Sequence, residues 1–257
     1  MRTPNVPRLG WIGSLALFGI PSIVFTAFLF LLMPAVVAGG GTKFAAFHAG
    51  FMAPLALMLI AAFVAYRMEQ GALDWAGVRD RFRLGALDRA GWLWTLGLVV
   101  WIVAFVPELP INAAIRRAFE GVHFYDAPAG YTTFMNTLTD GKTQIFGLPF
   151  TWGLLFYFLA GLFVFNILGE ELWWRGYILP RQEAAFGASA WIVNGVLWAG
   201  FHAFYHFNLG ILLSYLPTTL GLAFVAQRTR STWPGIIAHM ISNLGLPALM
   251  LSRLLAG

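Results

Sequence analysis

The sequence has no cysteine and very little charge. Of its 257 residues, 16 are Lys or Arg and 11 are Asp or Glu, together 11%. Without thiols, disulfides, thiolate catalysis and cysteine-ligated metals are excluded. The shortage of charge excludes more. An ordinary soluble domain is roughly one-quarter charged, and so few charged side chains cannot coat a water-facing surface. What fills the chain is apolar: 59% of residues are hydrophobic, including 24 Phe, 11 Trp and 7 Tyr. A polytopic membrane protein follows. The net charge of +5 does not argue for nucleic acid, which takes dense Lys/Arg stripes on one face. It fits the cation bias of membrane-protein loops.

A crossing helix takes about 20 mostly apolar residues. Seven such stretches fall near 11–38, 46–66, 91–107, 149–170, 188–206, 209–227 and 234–255. The expected fold is therefore an all-α transmembrane bundle of about seven spans, with six to eight allowed. The first run follows Arg2 and Arg8 and is much longer than a signal-peptide core, which makes it a retained anchor. Val36-Val37-Ala38 before Gly39 is the alternative, a cleavage site. With the N-terminus inside, eleven cations lie inside (Arg2, Arg8, Arg67, Arg79, Arg81, Arg83, Arg89, Arg175, Arg181, Arg228, Arg230). Five lie outside (Lys43, Arg116, Arg117, Lys142, Arg253), so the positive-inside rule places the N-terminus in the cytoplasm. A prokaryotic host would make this the plasma membrane. No polar linker divides the chain. Residues 1–148 are read as an N-terminal membrane region and 149–257 as the core that carries the chemistry, together one membrane domain.

Two connections are long. Residues 67–90 mix five Arg with Glu69, Asp74, Asp80, Asp88 and apolar Leu73, Trp75, Val78, Phe82, Leu84 and Leu87. That pattern suits either an interfacial amphipathic helix beside anionic headgroups or a solvated connector. Residues 108–148, with Asn112, His123, Asp126, Asn136 and Asp140, read as an outer loop.

Ionisable groups inside spans are functional candidates because burying them in lipid is expensive. They are Glu170 and Glu171, His202 and His206, and His239, accompanied by Asn166, Asn194 and Asn243. Residues four apart share a helix face. Glu171 and Arg175 therefore pair, leaving Glu170 without a fixed counter-ion and suited to general-base work. Trp198, His202 and His206 form one face, and His239 aligns with Asn243. Counted along the helices, Glu170 lies near the inner end of its span and His239 roughly 8 Å in, whereas His202 lies some 20 Å along its own. Their meeting requires a tilted span and a water-filled pocket opening inward. His48 and His123 have no patterned partner and read as structural.

These residues resemble the CPBP family, the Abi/CAAX prenyl protease group of intramembrane enzymes. Its pattern is EExxxR, FxxxH and HxxxN or HxxxB on successive helices. Glu170-Glu171 with Arg175 matches the first, followed by the Gly176 that many members carry. His239 with Asn243 matches the third. Trp198 with His202 departs from the second by placing Trp where Phe is usual. The resemblance covers about residues 150–245. It implies endoproteolysis of a membrane-associated protein or peptide. Glu170 and His202 would activate water, and His239 and Asn243 would bind the tetrahedral oxyanion. Glu171, Arg175, Trp198 and His206 would support them. No cofactor is expected, with a divalent metal such as Zn as the alternative.

Other chemistries fit less well. A divalent ion such as Zn would draw on His202, His206, His239 and Glu170, but the HExxH spacing is absent. Ser189, in Gly187-Ala188-Ser189-Ala190, only loosely imitates an intramembrane serine nucleophile, and no pair of Asp residues lies within spans. A non-catalytic adaptor, an immunity factor or a transporter would use the same polar groups as helix contacts or as a binding pocket.

Overall fold

Apolar runs with few breakers wind into long helices, and the computed structural model consists of little else. It describes residues 6–70, 73–85, 90–105, 108–126 and 143–256; Arg2, Leu87, Asp88, Arg89, Pro107, Asn136, Asp140 and Lys142 lie outside them. The helices are α1 (Trp11–Ala38), α2 (Lys43–Glu69), α3 (Trp75–Arg81), α4 (Ala90–Phe105), α5 (Glu108–Ala118), α6 (152–186), α7 (Ala190–Phe201), α8 (Leu209–Ser214), α9 (Leu216–Thr229), α10 (Trp233–Ser242) and α11 (Gly245–Ala256). A two-residue hairpin, β1 (Gln144–Ile145) with β2 (Leu148–Pro149), precedes α6. Short polar side chains start several helices. Thr42, Asp74, Thr151 and Asn208 each accept a bond from the backbone N–H three residues on, satisfying a donor the first turn leaves open.

Among the described residues, four helical stretches are long and apolar enough to cross a membrane: Trp11–Ala38, Lys43–Glu69, Trp152–Phe204 and Leu209–Thr229. The pair α10–α11, bent by 51°, makes a fifth if counted as one span. The difference from about seven has identifiable causes. α4 has only 16 residues. The expected spans 149–170 and 188–206 lie in one helical stretch of 53 residues. No residue stops the helix after Glu170. α6 runs on to Phe186 and ends at Gly187, whose φ of +59° suits glycine and few other residues. At 1.5 Å per residue α6 is roughly 52 Å long. Glu170 is therefore mid-helix rather than near an end, which removes the expected depth mismatch with His202.

α6 is tied to its neighbours by buried polar groups. Asn194 on α7 donates to the Trp174 carbonyl (3.1 Å) and to Gln182 Oε1 (2.9 Å), and Gln182 donates to Ser14 on α1 (3.1 Å). Phe18 of α1 stacks on Trp174 at 4.3 Å. Gly195 lets α7 approach the α9 backbone, where a Cβ would strike Leu220.

In the basic connection 67–90, Arg81 and Arg83 bind within the protein, whereas Leu73, Trp75 and Arg79 are exposed. Arg81 is 3% exposed, and its Nε donates to Glu69 (3.0 Å). Pro180 has no N–H to offer the carbonyl four residues back. Arg81 Nη1 meets that carbonyl, Gly176, at 2.8 Å, while Nη2 meets that of Tyr177 at 3.1 Å. Glu69 also pairs with Arg181, and Arg83 grips Glu183 through two bonds of 2.7 and 2.6 Å. Phe82 is fully buried against Gly176. Thr232 donates to the Phe82 carbonyl (2.7 Å) and Trp233 to that of Leu84 (3.1 Å), so the segment joins α6 to the start of α10. The expected outer loop is likewise partly helical: α5 packs on α8, and His123 bridges Asn208.

A Cβ at Gly176 would overlap Phe82, whereas one at Gly200 meets nothing within 4 Å. Gly176→Val is expected to lower stability by about 1–3 kcal/mol through overpacking. Gly200→Ala is expected to leave it unchanged or slightly raised. Thermal unfolding of the two purified variants in detergent measures the contrast.

Candidate active site

Asn166, Glu170 and Trp174 follow one another at steps of four on α6, which puts them on a common face. The helix loosens to π winding over Leu162–Leu168 and again over Leu172–Ile178, on either side of Gly169–Glu171. Such segments are rare and gather at functional sites. Glu170 is 5% exposed. Its Oε1 accepts from Asn166 Nδ2 at 2.8 Å, and its Oε2 accepts from Trp198 Nε1 at 2.9 Å and Trp174 Nε1 at 3.4 Å. Its hydrogen-bonding partners among the described residues are thus neutral donors, as the absence of a built-in counter-ion led us to expect.

The adjacent acid is treated differently. Glu171, with no exposed surface, accepts through Oε1 from Arg175 Nη1 at 3.1 Å and from His239 Nδ1 at 3.0 Å. The Arg175 guanidinium lies 3.6 Å from the centroid of the Trp198 ring. α10 comes this close because it carries Gly235, where a Cβ would overlap the Glu171 carboxylate. The expected Glu171–Arg175 pair is present, and no spacing in the chain signals that it also holds a histidine.

His202 Nδ1 lies 2.8 Å from the Trp198 carbonyl. A carbonyl only accepts, so Nδ1 carries the proton and the neutral ring keeps a lone pair on Nε2. The ring stacks on Tyr215 at 4.5 Å. His206 Nε2 is bonded to the Tyr215 hydroxyl at 2.8 Å, behind His202 rather than beside Glu170. Asn243 lies at the break between α10 and α11 and donates one N–H to the His239 carbonyl (3.0 Å), leaving its other N–H free to donate elsewhere.

Glu170, Trp198, His202, His239 and Asn243 line one cavity of about 450 Å³. Glu171, Arg175 and His206 do not line it. Phe25, Phe51, Leu55, Phe201 and Phe204 supply apolar wall, and Asn112, Arg116, Ser214 and Tyr215 supply further polar groups. Asn112 and Arg116 were not singled out as site residues in the sequence. Their signal was their spacing of four in a segment read as loop, which only a helix turns into a common face. His48 bonds to Tyr157 and to the Phe44 carbonyl, away from the cavity, and Ser189 caps its own turn through the Phe186 carbonyl. Among the described residues no three His, Asp or Glu side chains are grouped to hold a metal ion. Of the set His202, His206, His239 and Glu170, His206 does not line the cavity.

Residues 150–245 match the family model for type II CAAX prenyl endopeptidase Rce1-like proteins. All three motifs, from Glu170 to Asn243, fall inside that stretch. No curated protein and no solved structure matches the chain.

Removing one partner from a buried ion pair strands the other, at a cost of about 3–5 kcal/mol. Arg175→Leu, which leaves the Glu171 carboxylate to His239 alone, is expected to destabilise the protein by this order. Combining it with Glu171→Gln is expected to recover part of the loss. Thermal unfolding of the single and double variants reads the coupling.

Proposed function

We propose that this integral membrane protein is an endopeptidase that cleaves a membrane-associated protein or peptide. The observation that carries the reading is the convergence of Glu170, His202, His239 and Asn243 on one cavity. The family match supports the reaction class. The N-terminus is assigned to the cytoplasm on the balance of cations.

Glu170 and His202 have the form of a water-activating pair. The carboxylate is held by three N–H donors that fix its orientation, and His202 offers the lone pair of Nε2. A water between them gives up a proton as its oxygen attacks the scissile carbonyl. The resulting oxyanion accepts hydrogen bonds from Asn243 Nδ2 and His239. Donors already in place when charge develops are worth about 3–4 kcal/mol each. His239 spends Nδ1–H on Glu171, so donating from Nε2 as well requires a proton on both nitrogens. Glu171 supplies the negative partner for that form. Collapse of the intermediate breaks the C–N bond and returns the proton to the departing amine.

Glu170→Gln keeps the shape and removes the base. It is expected to abolish cleavage while the protein still reaches the membrane. The measurement is a comparison of new C-termini in membrane proteomes of cells carrying the wild-type and the variant chain. Equal sets of termini would overturn the glutamate mechanism. Activity in purified protein is expected to survive a strong divalent chelator. Loss with chelator and recovery with added Zn would replace this account with a metal-dependent one.

A further inference from the structure

The proposed reaction gives no task to His206, an ionisable side chain in an apolar run, nor to the tyrosines around it. His206 does not line the cavity, whereas Tyr205 and Tyr215 do. Tyr215 stands at the joint between α8 and α9, and its ring lies nearly parallel to the His202 imidazole, 4.5 Å away at 13°. Its hydroxyl meets His206 Nε2 at 2.8 Å and the Tyr205 hydroxyl at 3.1 Å. His206 is anchored in turn, because its backbone N–H donates to the His202 carbonyl at 3.2 Å. The contacts close a loop: His202 backbone to His206, His206 to Tyr215, and Tyr215 back to the His202 ring.

His202 needs such a hold. It caps the C-terminal end of α7, where the helix gives way to one tighter turn, His202–Phe204. Helix ends leave carbonyls open and fray. The imidazole is tethered through Nδ1 to the Trp198 carbonyl, one turn back on its own helix. A base must keep Nε2 free for water, so a second hydrogen bond to the ring would fix it only by disabling it. The ring face remains, and a flat aromatic neighbour can hold it without using a lone pair. A tyrosine fixed only at its backbone could swing away with the α8–α9 joint. The bonded hydroxyl ties its far end as well, since one O–H can donate to one of His206 and Tyr205 and accept from the other. Resting on the endopeptidase reading, we propose that Tyr215 is a positioning residue for His202 and that His206 acts through the Tyr215 hydroxyl. Together they aim the Nε2 lone pair at the water shared with Glu170.

The substrate source for the test is detergent-solubilised membrane from cells carrying the Glu170→Gln chain, which retains uncleaved substrate. Full-length wild-type and variant chains are added, and initial rates of new C-termini are followed by mass spectrometry against the amount of membrane. Tyr215→Leu is expected to lower the maximal rate about a hundredfold and to leave the half-saturating amount unchanged. Tyr215→Phe and His206→Phe are each expected to cost about tenfold. The double variant is expected to cost about tenfold too, because both changes remove the same bond. His48→Gln, away from the cavity, is expected to have no effect. A loss confined to the half-saturating amount overturns the proposal, as do losses that multiply in the double variant or a full rate in Tyr215→Leu. A second readout needs no cleavage. With carbon-13 at histidine Cε1, the His202 NMR signal, identified by its loss in His202→Gln, is expected upfield under the Tyr215 ring. It is expected to move downfield in Tyr215→Leu and part of the way in His206→Phe, while the His48 signal stays in place and reports an intact fold. Where Tyr215→Leu does not fold, Tyr215→Phe and His206→Phe carry both readouts. A His202 signal indifferent to these changes overturns the proposal. Absence of new termini with the wild-type chain is a different result: it removes the endopeptidase reading, and the NMR signal still decides whether Tyr215 holds the ring.

Discussion

The indole of Trp198 holds the site together. Its N–H is bonded to Glu170, its face lies under the Arg175 guanidinium, and the Trp198 backbone carbonyl accepts a hydrogen bond from His202 Nδ1. The His239 ring meets it edge-on at 5.5 Å. One side chain thus touches an acid, a base and a cation and fixes the relative placement of three helices. A phenyl ring at this position would keep the packing and the face beneath Arg175 but would have nothing to donate to Glu170. The Trp that stands where Phe is usual in the family pattern is therefore a chemical difference.

The two adjacent carboxylates of one helix turn have different surroundings. Glu171 is shared by Arg175 and His239, and neither Glu171 nor Arg175 has exposed surface. Such an arrangement gains little net stability over an apolar one, but breaking it is expensive. It fixes where α10 sits against α6, with Gly235 providing the space. Glu170 faces the cavity, and its hydrogen-bonding partners among the described residues are neutral donors. Its orientation is set, and its charge is left available to a ligand.

Periodicity and spacing made much of this legible. Steps of four put Glu171 with Arg175, Trp198 with His202 and His239 with Asn243, and each alignment recurs in the structure. The scarcity of acids had already marked Glu170. Local reasoning failed where a partner came from far along the chain. The Glu171–His239 bond spans 68 positions and the Trp198–Glu170 bond 28, and no periodicity encodes either. Boundaries failed for a related reason. α6 continues beyond Glu170 because Arg175, Arg181 and Glu183 find partners inside the protein, whereas a hydropathy reading treats each as the end of a span. Two arginines of the basic segment, Arg81 and Arg83, resemble headgroup binders until Glu69, Glu183 and two helix carbonyls are in view.

The segment carrying Arg81 and Phe82 also bears on what counts as a unit of this protein. It lies outside residues 150–245, the stretch that matches the family model. Yet it supplies the donor that Pro180 withholds from the Gly176 carbonyl, fills the groove over Gly176, and offers its own carbonyls to Thr232 and Trp233. α5 likewise contributes a wall of the cavity from outside that stretch. The motif-bearing stretch is consequently not a detachable module. Grafted alone onto another membrane scaffold, it would carry every motif residue but lack the braces that align α6 with α10. Swaps between relatives of this chain should be cut so that residues 73–85 and α5 travel with the glutamates.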